Sequence, residues 1–395
     1  LMERTLISAV QKNPEKAVLN ELLLWVYIQR KDFASAMIQA RSLDRRNQEQ
    51  GNRIFEIGAI SLRNGDYESA IEAYEYIIKE YPKGKFYATA RQRLLNAREE
   101  QIKNTYPVDQ ASIRTLVAEY QNLLTEFGRT GTTAEALKNM ALLHAFYLDE
   151  KETAIKLLEE VIRTPRAHPD LVANAKISLG DIYLLNGEPW ESTLLYSQVE
   201  KSHKEQPLGH EAKLRNARLN YYKGDFELAQ ANLDILKMAT SREIANDAME
   251  LSLLITDNTG LDTSTLAMQD YAAAELLLFQ NKFQAAQQKL DYMLKQYPGH
   301  SLTDEIYFLK AKIALRQTNY HDAIFNLAKI IQAPKQDILG DDALFMTARI
   351  YEENLKDPEQ AKSLYNKLLL TFPGSTFTVE ARKRFRKLRG DAIVN

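Results

Sequence analysis

The sequence predicts an all-α chain that builds its core as a one-dimensional stack of helical hairpins. Three observations carry this. A chain of 395 residues exceeds what one compact core usually serves, so it must divide or extend by repetition. Only 15 Gly and 11 Pro interrupt a sequence rich in Ala, Leu, Glu, Lys and Gln, the residues that lose least on entering a helix. The stretch "NGDYESAIEAYEYIIKEYPKGKFYATA" places Ala70, Tyr74, Ile77 and Pro82 at spacings of 4, 3 and 5. "KDPEQAKSLYNKLLLTFPGSTFTVEA" repeats those spacings with Ala361, Tyr365, Leu368 and Pro373.

The best-formed unit shows why the spacing means two helices. Ile54, Ile57 and Gly58 share one face of a first helix, Gly65 and Asp66 make a turn, and Tyr67, Ala70, Ile71, Tyr74, Ile77 and Ile78 share one face of a second. The small residues 58 and 70 are expected to let the two backbones approach closely. Pro82 stops the second helix because it lacks an N–H and restricts the residue before it.

The same register runs along the chain. "QRKDFASAMIQARSL" sets Phe33 and Ala36, and "LDEKETAIKLLEEVI" sets Ala154, Leu158 and Val161. "SLGDIYLLNGEPWESTLLYSQV" sets Gly180, Tyr183, Gly187, Ser192, Tyr196 and Val199, and "YYKGDFELAQANLDIL" sets Phe226, Ala229 and Leu233. "FQNKFQAAQQKLDYMLKQYPGHS" sets Phe283, Ala286, Leu290, Met293 and Pro298, and "RQTNYHDAIFNLAKII" sets Tyr320, Ala323, Leu327 and Ile330. Small anchors therefore stand at 36, 70, 154, 192, 229, 286, 323 and 361. The long gap after Ala70 holds a degenerate unit whose second helix is "IRTLVAEYQNLLTEFG", and the gap after Ala229 holds an extra helix, "SREIANDAMELSLLI".

This order of Gly or Ala, Tyr, Ala, aromatic or Leu, and Pro resembles the tetratricopeptide repeat. The resemblance implies a right-handed α-solenoid of about nine hairpins with a C-terminal capping helix. Three segments follow from the phase of the repeats: 1–105, 106–256 with the degenerate units, and 257–395 with the basic cap. "DNTGLDTS" is the first candidate hinge and "KNTYPVDQAS" the second. The chain departs from the family in lacking most of the aromatics that open first helices. It also carries Leu24, Leu142 or Ala311 where the family prefers Gly. The endings "YPGHS", "FPGST" and "YPKGK" resemble repeats of bacterial cell-envelope proteins. Among these are the lipoprotein that assists outer-membrane barrel assembly and the periplasmic coordinator of cell-wall synthesis. "EARKRFRKLRGD" looks like endings in envelope repeat proteins of Bacteroidota.

No chemistry is written into the motifs. Without cysteine there is no disulfide, thiolate metal site or cysteine nucleophile. The six histidines, at 144, 168, 203, 210, 300 and 321, form no metal-binding spacing, and His203 and His210 would need ligands from a partner. The Gly-Asp pairs belong to helical turns, since no phosphate-loop or dinucleotide motif accompanies them. Glu159 and Glu160, like Asp341 and Asp342, are sequence neighbours that diverge by about 100° on a helix, which suits solvated faces rather than shared acid-base work. No enzyme activity and no cofactor are predicted. Lys and Arg, 51 in all, nearly balance 53 Asp and Glu, so nothing global points to nucleic acid or an anionic membrane.

Binding is the expectation that remains. First helices of such a stack line a concave face that takes an extended peptide or a helix. Their polar positions, Arg53, Glu56, Lys138, Asn139, Lys176, Arg215, Arg218, Lys310 and Lys312, are the candidate partner-binding residues, with Trp190 as an anchor. Their positive tendency suits an acidic or C-terminal-carboxylate ligand. Trp25 is expected in the first core layer. In the last helix Phe377, Ala381, Phe385 and Leu388 should cap the stack, leaving Arg382, Lys383, Arg384, Arg386, Lys387 and Arg389 as a basic docking patch for an acidic partner or lipid headgroups. The expected role is a scaffold of the periplasm or the periplasmic face of the outer membrane, with outer-membrane assembly or cell-wall proteins as partners. No run of 18 apolar residues occurs, and peripheral membrane association is expected through a lipid anchor ahead of "LMERTLISAV". The alternatives are a cytoplasmic adaptor or peptide sensor, and a helical accessory domain of a larger protein.

Overall fold

A computed structural model describes residues 2–13, 15–105, 108–238, 241–259, 265–332 and 338–391. Among the described residues the chain is entirely helical, with no strand. The helices run α1 (Met2–Lys12), α2 (Ala17–Gln29), α3 (Phe33–Asn47), α4 (Asn52–Arg63), α5 (Tyr67–Glu80), α6 (Tyr87–Lys103), α7 (Gln110–Phe127), α8 (Ala134–Phe146), α9 (Lys151–Arg163) and α10 (Pro169–Asn186). They continue as α11 (Pro189–Ser202), α12 (Pro207–Lys223), α13 (Phe226–Leu236), α14 (Arg242–Thr259), α15 (Leu266–Phe279), α16 (Phe283–Gln296), α17 (Thr303–Arg316), α18 (Tyr320–Ile331), α19 (Gly340–Arg349), α20 (Pro358–Thr371) and α21 (Thr378–Arg389). A five-residue π-helical turn, Ile350–Asn354, extends α19.

Two compact units divide the chain, residues 1–182 and 183–395. In unit 1 the hairpins α2/α3, α4/α5, α6/α7 and α8/α9 stack in order behind α1. In unit 2 the hairpins are α12/α13, α15/α16, α17/α18 and α19/α20, with α14 inserted after α13 and α21 closing the series. Both the degenerate second helix and the extra helix expected from sequence are present, as α7 and α14. The boundary drawn after residue 256 falls inside α14. Residues 257–259 of the first candidate hinge form the last turn of that helix, and 260–264 lie outside the described residues. The second candidate hinge includes 106 and 107, which also lie outside them.

All eight small anchors are fully buried. Five residues before each of them stands a residue in the left-handed backbone region: Lys31, Gly65, Asp149, Gly187, Gly224, Asn281, Thr318 and Lys356. That residue reverses the chain between the two helices, and an Asx side chain often follows to cap the second. Asp32 accepts from the Ser35 N–H at 3.1 Å, Asp66 from Ser69 at 3.0 Å, and Asp357 from Gln360 at 3.1 Å.

Gly58 does permit close approach, but to Ala73 rather than Ala70. A Cβ at 58 would stand 3.0 Å from Ala73 Cβ and 3.1 Å from the Tyr74 ring. Aromatic-proline endings use glycine similarly. Phe372 packs on Gly340, where a Cβ would come within 2.8 Å of the ring, and Tyr81 lies 3.2 Å from the corresponding point on Gly51. Tyr81 also donates to the fully buried Asp44, which accepts the Gly51 N–H at 2.7 Å on its other oxygen.

Trp25 is not in the first core layer. It is 53% exposed, on one face with Val18 and Leu22, while Leu23, Leu24, Val26 and Tyr27 turn inward. At the other end, Ala381 is buried and Phe377, Phe385 and Leu388 pack beside it against Leu344, Ala348 and Tyr365, so α21 does close the last hairpin. Phe377 stacks on Phe345 with ring centroids 4.5 Å apart.

Candidate functional site

In unit 1 the first helices α6 and α8 and the second helix α7 border a polar cleft lined by Thr89, Gln92, Arg93, Asn96, Tyr120, Glu135, Ala136 and Asn139. Residues 89, 92, 93 and 96 recur at helical spacing, so α6 presents them as one stripe. The Asn139 carboxamide donates to Asn96 Oδ1 at 2.9 Å, which sets two carboxamides side by side. Behind them the Tyr120 hydroxyl, nearly inaccessible, donates to Glu99 Oε2 at 2.6 Å, and Lys103 pairs with the other oxygen of that carboxylate. Burial and the Glu99 charge push the Tyr120 hydroxyl well above its ordinary value, so it stays a neutral donor. Arg93 is exposed and has no ion pair among the described residues. Its charge, with that of Arg63, is felt at the buried Tyr74 hydroxyl, which has no hydrogen-bond partner.

Of the candidates named from sequence, only Asn139 lines this cleft. Lys138 follows the same helix and is half-buried, and Glu56 is exposed on α4. Arg53 is a strut. It meets Glu21 on α2 at 2.6 and 2.8 Å and Glu49 at 2.7 and 2.9 Å, two carboxylates that raise its affinity for its proton despite burial. Lys176 is half-buried in α10. Arg93, Asn96 and Tyr120 escaped the sequence reading because their hairpin, α6/α7, lacks a small anchor, and Glu135 was passed over on α8 although its neighbours Lys138 and Asn139 were named. The polar stripe 89/92/93/96 was the available signal.

The corresponding face of unit 2 is acidic. Glu275 on α15 accepts from the buried Tyr221 hydroxyl at 2.7 Å. Burial pushes its carboxyl up, while Tyr221, Lys312 on α17 and Arg218 on α12 pull it back. Asp342 on α19 is pushed up to about 6 by burial, by Asp341 and by Glu250 on α14, against Lys312. Asp342 is thus not the fully solvated carboxylate that its sequence suggested. Arg218 and Lys312 sit among carboxylates, and the Lys312 ammonium lies 4.6 Å over the Phe308 ring. Arg215 pairs with Glu211 at 2.9 Å, and Lys310 pairs with Asp291. Trp190 is 77% exposed, and the Lys223 ammonium sits 4.4 Å above its ring.

The basic residues of α21 divide by role. Arg384 contacts Glu353 at 2.6 Å, Glu380 at 2.8 Å and Glu352 at 2.9 Å, and the π-helical turn supplies two of those three partners. Arg389 pairs with Asp391. Arg382, Lys383, Arg386 and Lys387 face solvent.

His203 and His210 each keep local company. His203 Nδ1 is 2.8 Å from Ser202 Oγ, and His210 Nε2 is 3.8 Å from Glu205. No cluster of three His, Asp or Glu suited to a metal occurs among the described residues. Nor, among those residues, is any helix long and apolar enough to cross a membrane.

Two family models described as tetratricopeptide repeat match the chain, one over residues 25–84 and 342–375 and the other over 271–338. Among solved structures, the chain is similar to a tetratricopeptide repeat protein from Parabacteroides merdae at 14% identity, covering 76% of this chain and 99% of that one with a TM-score of 0.39. It is also similar to the TPR domain of P58(IPK) at 15% identity, covering 94% of this chain and 96% of that one with a TM-score of 0.26. A search of curated proteins returns no match.

Proposed function

We propose that this chain, which carries tetratricopeptide repeats, is a non-catalytic scaffold that holds a partner's extended segment in the cleft between α6 and α8. Such repeats generally bind protein or peptide partners and are generally not enzymes. The observation that carries the reading is the Asn96–Asn139 pair beside Arg93. Two adjoining carboxamides offer the donor and acceptor that a peptide bond presents, and a solvent-facing guanidinium favours a nearby carboxylate on the ligand. Unit 2 adds a second, acidic face suited to basic residues of the same or another partner.

The compartment belongs to the same proposal. The endings "YPGHS" and "FPGST", with the outward cations of α21, support a scaffold of the bacterial envelope that works near the outer membrane. A photo-crosslinking residue at Asn139, with a control at the exposed Glu68 on α5, tests both parts in the native cells. Outer-membrane assembly or cell-wall proteins captured through 139 and not through 68 are the expected result. Capture of cytoplasmic regulators through 139 would overturn the compartment, and equal capture at both positions would overturn the cleft.

A further inference from the structure

Helix α14 stands outside the repeat. The first helix α12 touches α15 directly, so the stack passes from the α12/α13 hairpin to α15/α16 without needing α14 between them. What α14 adds is a cleft. Packed on α13 and touching α12, it borders an open space of about 410 Å³ against α12, inside the range of specific ligand pockets. The floor is apolar: Leu214 is buried, and Leu208 and Ile244 are half-buried. The walls carry opposite charges. Arg218 stands exposed on the α12 side, while Glu243 and Asp247 stand exposed, one helical turn apart, on the α14 side.

These three charges line one cleft and do not meet. Among the described residues none of their side chains makes a hydrogen bond or an ion pair, whereas Arg215 and Glu211 in the same cleft pair with each other at 2.9 Å along α12. Arg218 acts at a distance on the Glu275 carboxyl of α15 but forms no bond with it. The seating of α14 keeps the facing walls apart, so the cation and the two anions remain available to a ligand that spans the space between them. Ligands of a single charge are disfavoured. A uniformly acidic segment would set carboxylates against Glu243 and Asp247, and a uniformly basic one would set a cation against Arg218.

We infer that the α12/α14 cleft binds a short segment of a partner protein in which an acidic and a basic residue flank an aliphatic one. The ligand carboxylate meets Arg218, its cation meets Glu243 and Asp247, and its aliphatic side chain rests on Leu208, Leu214 and Ile244. The site shares no residue with the α6/α8 cleft of unit 1, so either reading can fail alone.

The test titrates the full chain, in fluorescence anisotropy at low salt, with four labelled peptides built around Asp-Leu-Lys, Lys-Leu-Asp, Asp-Leu-Asp and Lys-Leu-Lys. Both dipolar orders are used because the chain direction in the cleft is open. Saturable binding of at least one dipolar peptide, about tenfold tighter than either uniform peptide, is expected. Arg218→Glu should turn the preference toward Lys-Leu-Lys, and Glu243→Gln combined with Asp247→Arg should turn it toward Asp-Leu-Asp. A damaged fold would weaken every peptide and could not reverse the preference in two directions. Arg93→Gln should leave this binding unchanged. No saturable binding of either dipolar peptide, a uniform peptide that binds as tightly, a preference that the reversals leave in place, or loss of binding in Arg93→Gln overturns the inference.

Discussion

In unit 1 the buried Tyr120 hydroxyl meets a carboxylate that Lys103 also neutralises, whereas in unit 2 the buried Tyr221 hydroxyl meets Glu275, which burial drives toward its protonated form. Around the first pair stand carboxamides, Arg93 and a single further carboxylate, Glu135. Near the second stands Glu250, which acts also on Asp342 beside Asp341, with Arg218 and Lys312 as partial counterweights. The hairpins that carry these groups share one register, with a fully buried small anchor and a left-handed turn residue five positions earlier. The repeat therefore specifies backbone and core, and leaves the charge of the first-helix face free to diverge.

The shared backbone is where the largest effect lies. Gly58 in unit 1 and Gly340 in unit 2 each receive an aromatic ring, from Tyr74 and Phe372. Gly58→Val drives a branched side chain into Ala73 and Tyr74 and should cost about 3 kcal/mol in urea unfolding. Gly340→Val should cost a similar amount through Phe372. A cost at only one of the two would break the claim that both units rest on the same packing rule.

The two carboxylates should next answer neutralisation with opposite signs. Glu99→Gln removes the charge that Lys103 and Tyr120 both use, and should destabilise by roughly 2 kcal/mol. Asp342→Asn removes a charge that the fold resists, and should stabilise at pH 7 by about 1 kcal/mol once solvent screening is allowed for. The folded-state value of Asp342 is raised, to about 6, so the native state holds its proton more tightly than the unfolded chain. Its penalty is absent below about pH 4, grows between 4 and 6, and is complete above that. The gain from Asp342→Asn should follow that window in denaturation series at fixed ionic strength.

Binding gives a smaller but more direct contrast. Arg93→Gln should weaken an acidic peptide about tenfold in fluorescence anisotropy, while Lys312→Gln, already surrounded by acids, should change that affinity by less than about twofold. Equal losses would mean that the two faces do not differ in ligand charge.

The repeat was legible because its signal is local. Anchors such as Ala70 and Ala361, and stops such as Pro82 and Pro373, act within one hairpin. The cleft was not legible, because Asn96 and Asn139 meet across 43 positions and Arg53 reaches Glu21 across 32. Charge signs read along first helices, Arg218 and Lys312 among them, gave no notice of the acids that α14, α15 and α19 bring beside them. Trp25 failed for a different reason: α2 is apolar on every side, so its periodicity does not say which face turns inward.

The smallest effect concerns the turns, where hairpins within each unit differ in how they reach the same conformation. Gly65, Gly187 and Gly224 adopt positive φ without a Cβ, but Lys31, Asp149, Asn281, Thr318 and Lys356 do so at φ between 55° and 58°. Each side chain there costs about 1 kcal/mol or more, least for Asn and Asp and most for a β-branched residue. Replacing it with Gly removes that strain but adds disorder to the unfolded chain, which offsets part of the gain. Thr318→Gly should therefore stabilise by about 0.5 to 1 kcal/mol, Lys31→Gly and Lys356→Gly by less, and Asn281→Gly by almost nothing. A flat response across the four would show that the turn conformation is held by the packed anchors five residues later, and that the turn residue itself contributes little to the register.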